Sequence, residues 1–188
     1  FESEIAAFTG ARRGVAVVNG TNALMVALRL LGVQPDNEVI TQPLTFVATC
    51  NAIRYLYAHP VFADVDKDTM GLSPDSVEDF LNQNVERRAE GSFNTRTGKR
   101  ISACLPMHTF GHPVRMRELV DVCAKWNIPV VEDAAESVGS YIGDTHTGLY
   151  GELGVLSFNG NKTITTGGGG MIITDNTELA DRAKHLTT

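Results

Sequence analysis

Lys162 sits in the stretch Ser157-Phe-Asn-Gly-Asn-Lys162-Thr-Ile-Thr-Thr-Gly-Gly-Gly-Gly170, and Val130-Val-Glu-Asp133 lies upstream. A lysine amine can hold an aldehyde as a Schiff base, and a carboxylate can pair with a pyridinium nitrogen. Together they point to pyridoxal phosphate (PLP), whose ring then acts as an electron sink. The simplest alternative for Lys162 is a surface lysine in a glycine-rich loop. For Asp133 it is a helix cap or a solvated turn, because an acidic pair such as Glu132-Asp133 is costly to bury without a donor.

Other residues fit the same chemistry. Asn19-Gly-Thr-Asn-Ala-Leu24 follows an apolar run and opens a helical pattern. Backbone N–H groups at a helix start bind anions, and glycine lets a phosphate approach closely. Gly20, Thr21 and Asn22 are therefore candidates for a phosphate cradle, although a plain N-cap turn accounts for this segment taken alone. Phe46 opens the next helical pattern and could stack on a flat ring, or be a core aromatic. Ser157 could add a hydroxyl to the phosphate. Glu136 lies one helical turn past Asp133. His108, in Pro106-Met-His-Thr-Phe-Gly111, is a candidate pocket residue for substrate, with a structural histidine as the simpler reading. The other histidines are scattered and give no metal site.

These residues need a scaffold that brings them together. Apolar runs at 15–18, 38–41, 61–64, 101–105, 129–132, 154–157 and 171–174 read as strands. Helical patterns cover 2–8, 21–31, 46–57, 73–81, 115–126 and 177–185. Strands separated by helices predict an α/β fold with a mostly parallel sheet and helices on both faces. Thr21, Phe46, His108, Asp133 and Ser157 then fall at the same ends of the strands, where ligands of open α/β sheets bind. The segment 82–99 is polar and without period, and reads as a surface insertion or long loop.

Composition narrows the partners. The chain has 188 residues, 43% hydrophobic and 20% charged, with a net charge of −6. This is ordinary globular composition, and the charge disfavours nucleic acid or an anionic membrane. Cys50, Cys104 and Cys123 are odd in number and lack CxxC spacing, as expected of free thiols in a reducing cytoplasm. No apolar run reaches about 18 residues and no signal-peptide pattern is read. The chain begins and ends in or beside helical patterns, which reads as part of a longer protein.

The motifs, in order and spacing, resemble the DegT/DnrJ/EryC1/StrS sugar aminotransferases of the fold-type I PLP enzymes. The match runs from Gly14 to about Leu186. It includes Asn19 to Leu24, Glu38-Val-Ile-Thr41, Thr45-Phe-Val-Ala-Thr49, Val61 to Asp66, Val131 to Ala135, Gly148 to Gly151 and Ser157 to Lys162. Glu-Asp-Ala-Ala-Glu-Ser137 and the insertion after Leu81 look most like LegC-type enzymes, which act on nucleotide-linked 4-keto sugars for nonulosonic acids such as legionaminic acid. The resemblance implies a seven-stranded large domain spanning 1–188, with a small C-terminal domain outside it. It implies that Lys162 holds the cofactor, Asp133 pairs with the ring nitrogen, and Gly20, Thr21, Asn22, Phe46, Ser157 and Asn159 bind the cofactor. Position 136 is usually Gln or His in the family, near the cofactor's phenolic oxygen, and Glu136 departs from that. A homodimer, L-glutamate as amino donor and a nucleotide-linked ketosugar as acceptor are implied as well. Two alternatives remain: a PLP-dependent sugar dehydratase, in which relatives carry His where Lys162 stands, and a non-catalytic α/β binding or assembly domain.

Overall fold

The computed structural model describes all 188 residues. The chain opens with helix α1 (Glu2–Thr9), which Gly10 ends in the left-handed region. Strand β1 (Arg13–Val17) follows, and then α2 (Gly20–Leu30), whose first turn is capped by Asn19. Strand β2 (Glu38–Thr41), helix α3 (Val47–Tyr55) and strand β3 (His59–Phe62) form a βαβ unit. Helix α4 (Pro74–Asn84) starts with Ser73 as cap and Pro74 in its first position, where a missing N–H costs nothing.

The polar segment 82–99 is not an open loop. It finishes α4 and then forms a hairpin, β4 (Val85–Arg88) and β5 (Gly91–Asn94), which pairs antiparallel with β6 (Arg100–Cys104). Its inward residues are polar and satisfied. Ser92 Oγ donates to the Trp126 carbonyl at 2.6 Å, and Asn94 Nδ2 donates to the buried Glu38 carboxylate at 2.8 Å.

A single 3-10 turn (Thr109–Gly111) leads to α5 (Met116–Lys125) and β7 (Val131–Asp133). The small hairpin of β8 (Tyr141–Ile142) and β9 (Thr145–His146) precedes β10 (Leu153–Ser157), β11 (Gly170–Thr174) and α6 (Thr177–Thr187). Bridges Cys104–Val130 and Met107–Asp133 join the two main ladders into one seven-stranded sheet, in the order β1-β11-β10-β7-β6-β2-β3. Among these seven strands all run parallel except β11, which is antiparallel to both neighbours, while the β4–β5 hairpin extends the sheet beside the start of β6. No helix separates β10 from β11, so the chain turns straight back.

Side chains alternate across this sheet as a period of two requires. Val39, Ala103, Val131, Val155 and Ile172 pack on one face with α2, α3 and α6. Ile40, Cys104 and Val130 pack on the other face with α4 and α5, while Leu156, Met171 and Ile173 pack with Ala134 and Phe158. Helices thus cover both faces, as expected from the sequence.

Candidate functional site

At the carboxyl ends of β1, β7 and β10 lies a cavity of about 230 Å³, lined by Gly20, Thr21, Phe46, Met107, Asp133, Ser157, Asn159 and Lys162 among others. Its floor is the start of α2. The first amides of a helix have no intrahelical acceptor. Asn19 Oδ1 takes the amide of Asn22 at 2.8 Å. The cradle expected from Gly20, Thr21 and Asn22 is therefore narrower than expected: Asn22 does not line the cavity and its amide is committed to the cap. The amides of Gly20 and Thr21 remain. Gly20 packs on Ser157, close enough that an added Cβ would lie 3.2 Å from the Ser157 hydroxyl.

Asp133 ends β7, and only 4% of it is exposed. Its backbone is fixed on both sides: its N–H donates to Pro106 O at 2.9 Å, and its carbonyl accepts from His108 N at 3.1 Å. Its carboxylate accepts the Thr49 hydroxyl at 2.8 Å and the Ala135 amide at 3.2 Å. Burial pushes the Asp133 carboxyl above its ordinary value. The two hydrogen bonds and the nearby Lys162 and His108 oppose that shift without cancelling it. A cationic N–H entering the cavity would relieve the same desolvation.

Lys162 lies on the loop where the chain reverses between β10 and β11. Its Nζ donates to Glu136 Oε1 at 3.1 Å and lies 5.7 Å from the Phe46 ring centroid. The Lys162 side chain is 11% exposed, so the surface-lysine reading fails. Glu136 Oε2 is buried without a partner. Glu136 thus enters the site through Lys162. The Phe46 ring is exposed and borders the cavity, where a flat ligand ring could lie against it. Asn159 lines the cavity and donates to Asn161 Oδ1 at 3.0 Å.

His108 is a correction. It is fully buried and does not line the cavity. Its Nε2 lies 3.0 Å from Glu132 Oε2, and its Nδ1 accepts the Val114 amide at 3.1 Å. Both ring nitrogens are used in holding the fold, so no substrate reaches them. Sequence reasoning missed Asn19, Leu24, Ala48, Met107, Ala135 and Asn161 in the lining, and Thr49 behind Asp133. Thr45 and Thr49, four residues apart at a helix start, carried a readable signal, since such positions share a face.

A seven-stranded sheet with one reversed strand, a lysine on the reversing loop, and a buried aspartate sharing a cavity with a helix start are the features of the fold-type I class of PLP-dependent transferases. The chain belongs to the DegT/DnrJ/EryC1/StrS aminotransferase family, which it matches over residues 1–188. It is 36% identical over 186 residues to the GDP-perosamine synthase of Escherichia coli O157:H7, covering 99% of this chain and 47% of that protein. Among solved structures, it superposes on DesI, determined in the presence of its TDP-sugar product, with TM-score 0.85 and 31% identity, over 98% of this chain and 43% of that one. NtdA from Bacillus subtilis, with bound cofactor PMP, aligns with TM-score 0.78 and 27% identity, over 97% and 38%. The chain thus spans about half the length of the relatives it matches. Similarity to LegC-type enzymes in particular is not singled out by these matches.

Proposed function

We infer that this chain carries the cofactor site of a PLP-dependent aminotransferase that aminates a nucleotide-linked 4-keto sugar, with L-glutamate as donor, for a surface glycan. The observation that carries the reading is a largely buried lysine amine and a buried carboxylate lining one cavity above a helix start. The residues fit the cofactor. The amides of Gly20 and Thr21 with the Ser157 hydroxyl suit a phosphate, and Phe46 suits a ring face. Asp133 suits the ring nitrogen, and Lys162 suits the aldehyde. Gly170 keeps the cradle open, because a Cβ there would fall 2.7 Å from the Gly20 nitrogen.

Bound PLP would supply an electron sink for the charge left when a proton leaves the substrate carbon. Asp133 would keep the ring nitrogen protonated and so favour that charge. Lys162 Nζ is the one amine lining the cavity. Once freed, it would carry the proton from the amino-acid Cα and return it on the far side of the exchange. Glu136 would hold that amine near the Phe46 ring. Donor and acceptor would use the site in turn, giving ping-pong kinetics.

Of the relatives named above, one is a GDP-perosamine synthase and another, DesI, has a TDP-sugar product, which supports a nucleotide sugar without fixing the nucleotide. The motif Glu132 to Ser137 favours a nonulosonic acid route such as that to legionaminic acid. The free cysteines are in keeping with a reducing cytoplasm, and no helix is long and apolar enough to cross a membrane. The proposed working unit is a homodimer of full-length chains, with residues 1–188 as its PLP-binding domain. Lysine at position 162 argues against the dehydratase reading.

The test is direct. PLP added to the protein should give a visible band, and borohydride should fix a phosphopyridoxyl group that mass spectrometry maps to Lys162. Lys162→Ala should show neither. A folded wild-type protein without band or adduct would favour the non-catalytic domain. For the full-length protein, turnover of a simple keto acid with failure of every ketosugar in a panel would remove the sugar assignment.

A further inference from the structure

Behind the cavity, α3 reaches Asp133 through hydroxyls. Thr49 is fully buried, and its Oγ1 donates to Asp133 Oδ2 at 2.8 Å. Thr45 Oγ1 lies 2.6 Å from Thr49 Oγ1. A threonine hydroxyl has one proton to give. Thr49 has committed its proton to a carboxylate that, when ionised, has none to return. Thr45 is therefore the donor in the pair of threonines. Met107 Sδ, 2.9 Å from the Thr45 hydroxyl, is a weak acceptor, and the Phe46 carbonyl oxygen, at 3.4 Å, is a long contact, so both compete poorly for that proton. The direction of the relay is set: Thr45 to Thr49 to Asp133.

We propose that Thr49, backed by Thr45, is a positioning residue that locks the Asp133 carboxylate in one rotamer and in its ionised form, with its remaining lone pairs available to the cavity. The backbone of Asp133 is already pinned by residues 106 and 108. The side chain would otherwise be free to swing or to take up a proton in its buried setting. The Ala135 amide holds only Oδ1, at 3.2 Å. The titratable groups acting on Asp133 are Lys162 across the cavity and His108 behind it. Thr49 is thus the one side-chain hydrogen bond on the carboxylate that belongs to neither the cavity nor the chain segment of Asp133 itself. Its functional meaning rests on the reading of Asp133 as the partner of a ring nitrogen: a carboxylate that took up a proton could no longer keep that nitrogen charged.

The deciding experiment is a carbon-13 NMR titration of the Asp133 carboxyl in cofactor-free protein. Thr49→Val should raise the midpoint by about one pH unit, the scale of a lost hydrogen bond to a charged group. Thr49→Ser keeps the hydroxyl and should stay near wild type. Thr45→Val should shift the midpoint the same way by less. In the same variants PLP affinity should fall in step, about tenfold for Thr49→Val. A folded Thr49→Val protein with an unmoved midpoint overturns the proposal, as does a serine variant that shifts as far as valine. If Thr49→Val does not fold, Thr45→Val decides: a shift supports the relay, and none removes it. Failure of the wild type to take up PLP would sink the cofactor reading alone, since the titration needs no cofactor.

Discussion

A Cβ built on Gly170 would lie 2.4 Å from the carbonyl carbon of Asn19 and 2.6 Å from its oxygen. The neighbours are backbone atoms of the turn that opens α2, so no side chain can swing aside to make room. Gly170→Ala should therefore push that turn away from Ser157, with a cost of about 1–3 kcal/mol from overpacking. We expect a lower urea midpoint and a larger fractional loss of PLP affinity than of stability; unchanged affinity would separate this turn from the phosphate. Much of the site was legible at this scale, because Thr21, Asp133, Ser157 and Lys162 each follow a recognisable strand and have types suited to the chemistry. Thr49 was legible only as half of a threonine pair at a helix start; its role behind Asp133 was not, since that partner lies 84 residues away in sequence. His108 was legible as unusual, but only the packing around it shows that both nitrogens are already occupied.

Among the elements, hydrophobic rhythm revealed the sheet wherever strands are buried on both faces. Strand β2 matches the expected residues 38–41, and all four are buried. It failed for β4 and β5, whose inward positions include Ser92 and Asn94, so the usual apolar alternation is missing. Strand β3 begins two residues earlier than its apolar run, with His59 paired to Glu38. A connection invisible in any period joins the segment after β3 to the start of α5. Arg115 Nε donates to Asp66 Oδ2 at 2.8 Å, and Arg115 Nη2 donates to Asp66 Oδ1 at 3.1 Å. Burial alone would raise the Asp66 carboxyl. The hydrogen bonds from Arg115 and Ser73, with the Arg115 charge, outweigh it and hold the group below its ordinary value. A depressed carboxyl stabilises the fold above its unfolded pKa of about 3.9 and loses that contribution as pH falls through the folded value. Replacing Arg115 with Met should cost about 1 kcal/mol at pH 7, a bidentate but partly exposed pair. The gap between variant and wild type in urea unfolding should close in acid; a gap independent of pH would assign the effect to packing.

Across the whole molecule, one buried carboxylate ties the layers beneath the site. Glu132 is fully buried next to Asp133 in β7, with its side chain on the other face of that strand. Its Oε1 accepts the amides of Tyr150 and Gly151 at 2.6 and 2.7 Å, and its Oε2 accepts the amide of Gly148 at 2.8 Å, beside His108 Nε2. The approach is close enough that a Cβ on Gly151 would meet the Val130 carbonyl oxygen at 2.5 Å. This network binds the segment before β10 to the strand carrying Asp133, and through His108 to the segment after β6. It therefore fixes the spacing between the strand ends that frame the cavity. Glu132→Gln keeps the shape but turns an NH₂ group toward backbone donors, leaving at least one buried amide without an acceptor. That should cost about 2–4 kcal/mol. Because the network joins both halves of the sheet, the loss should appear as one cooperative transition at lower urea concentration rather than as local fraying of residues 148–151. Hydrogen exchange separates the two outcomes: faster exchange throughout β7, β10 and β6 supports the tie, while faster exchange confined to Gly148–Gly151 would make Glu132 a local loop anchor.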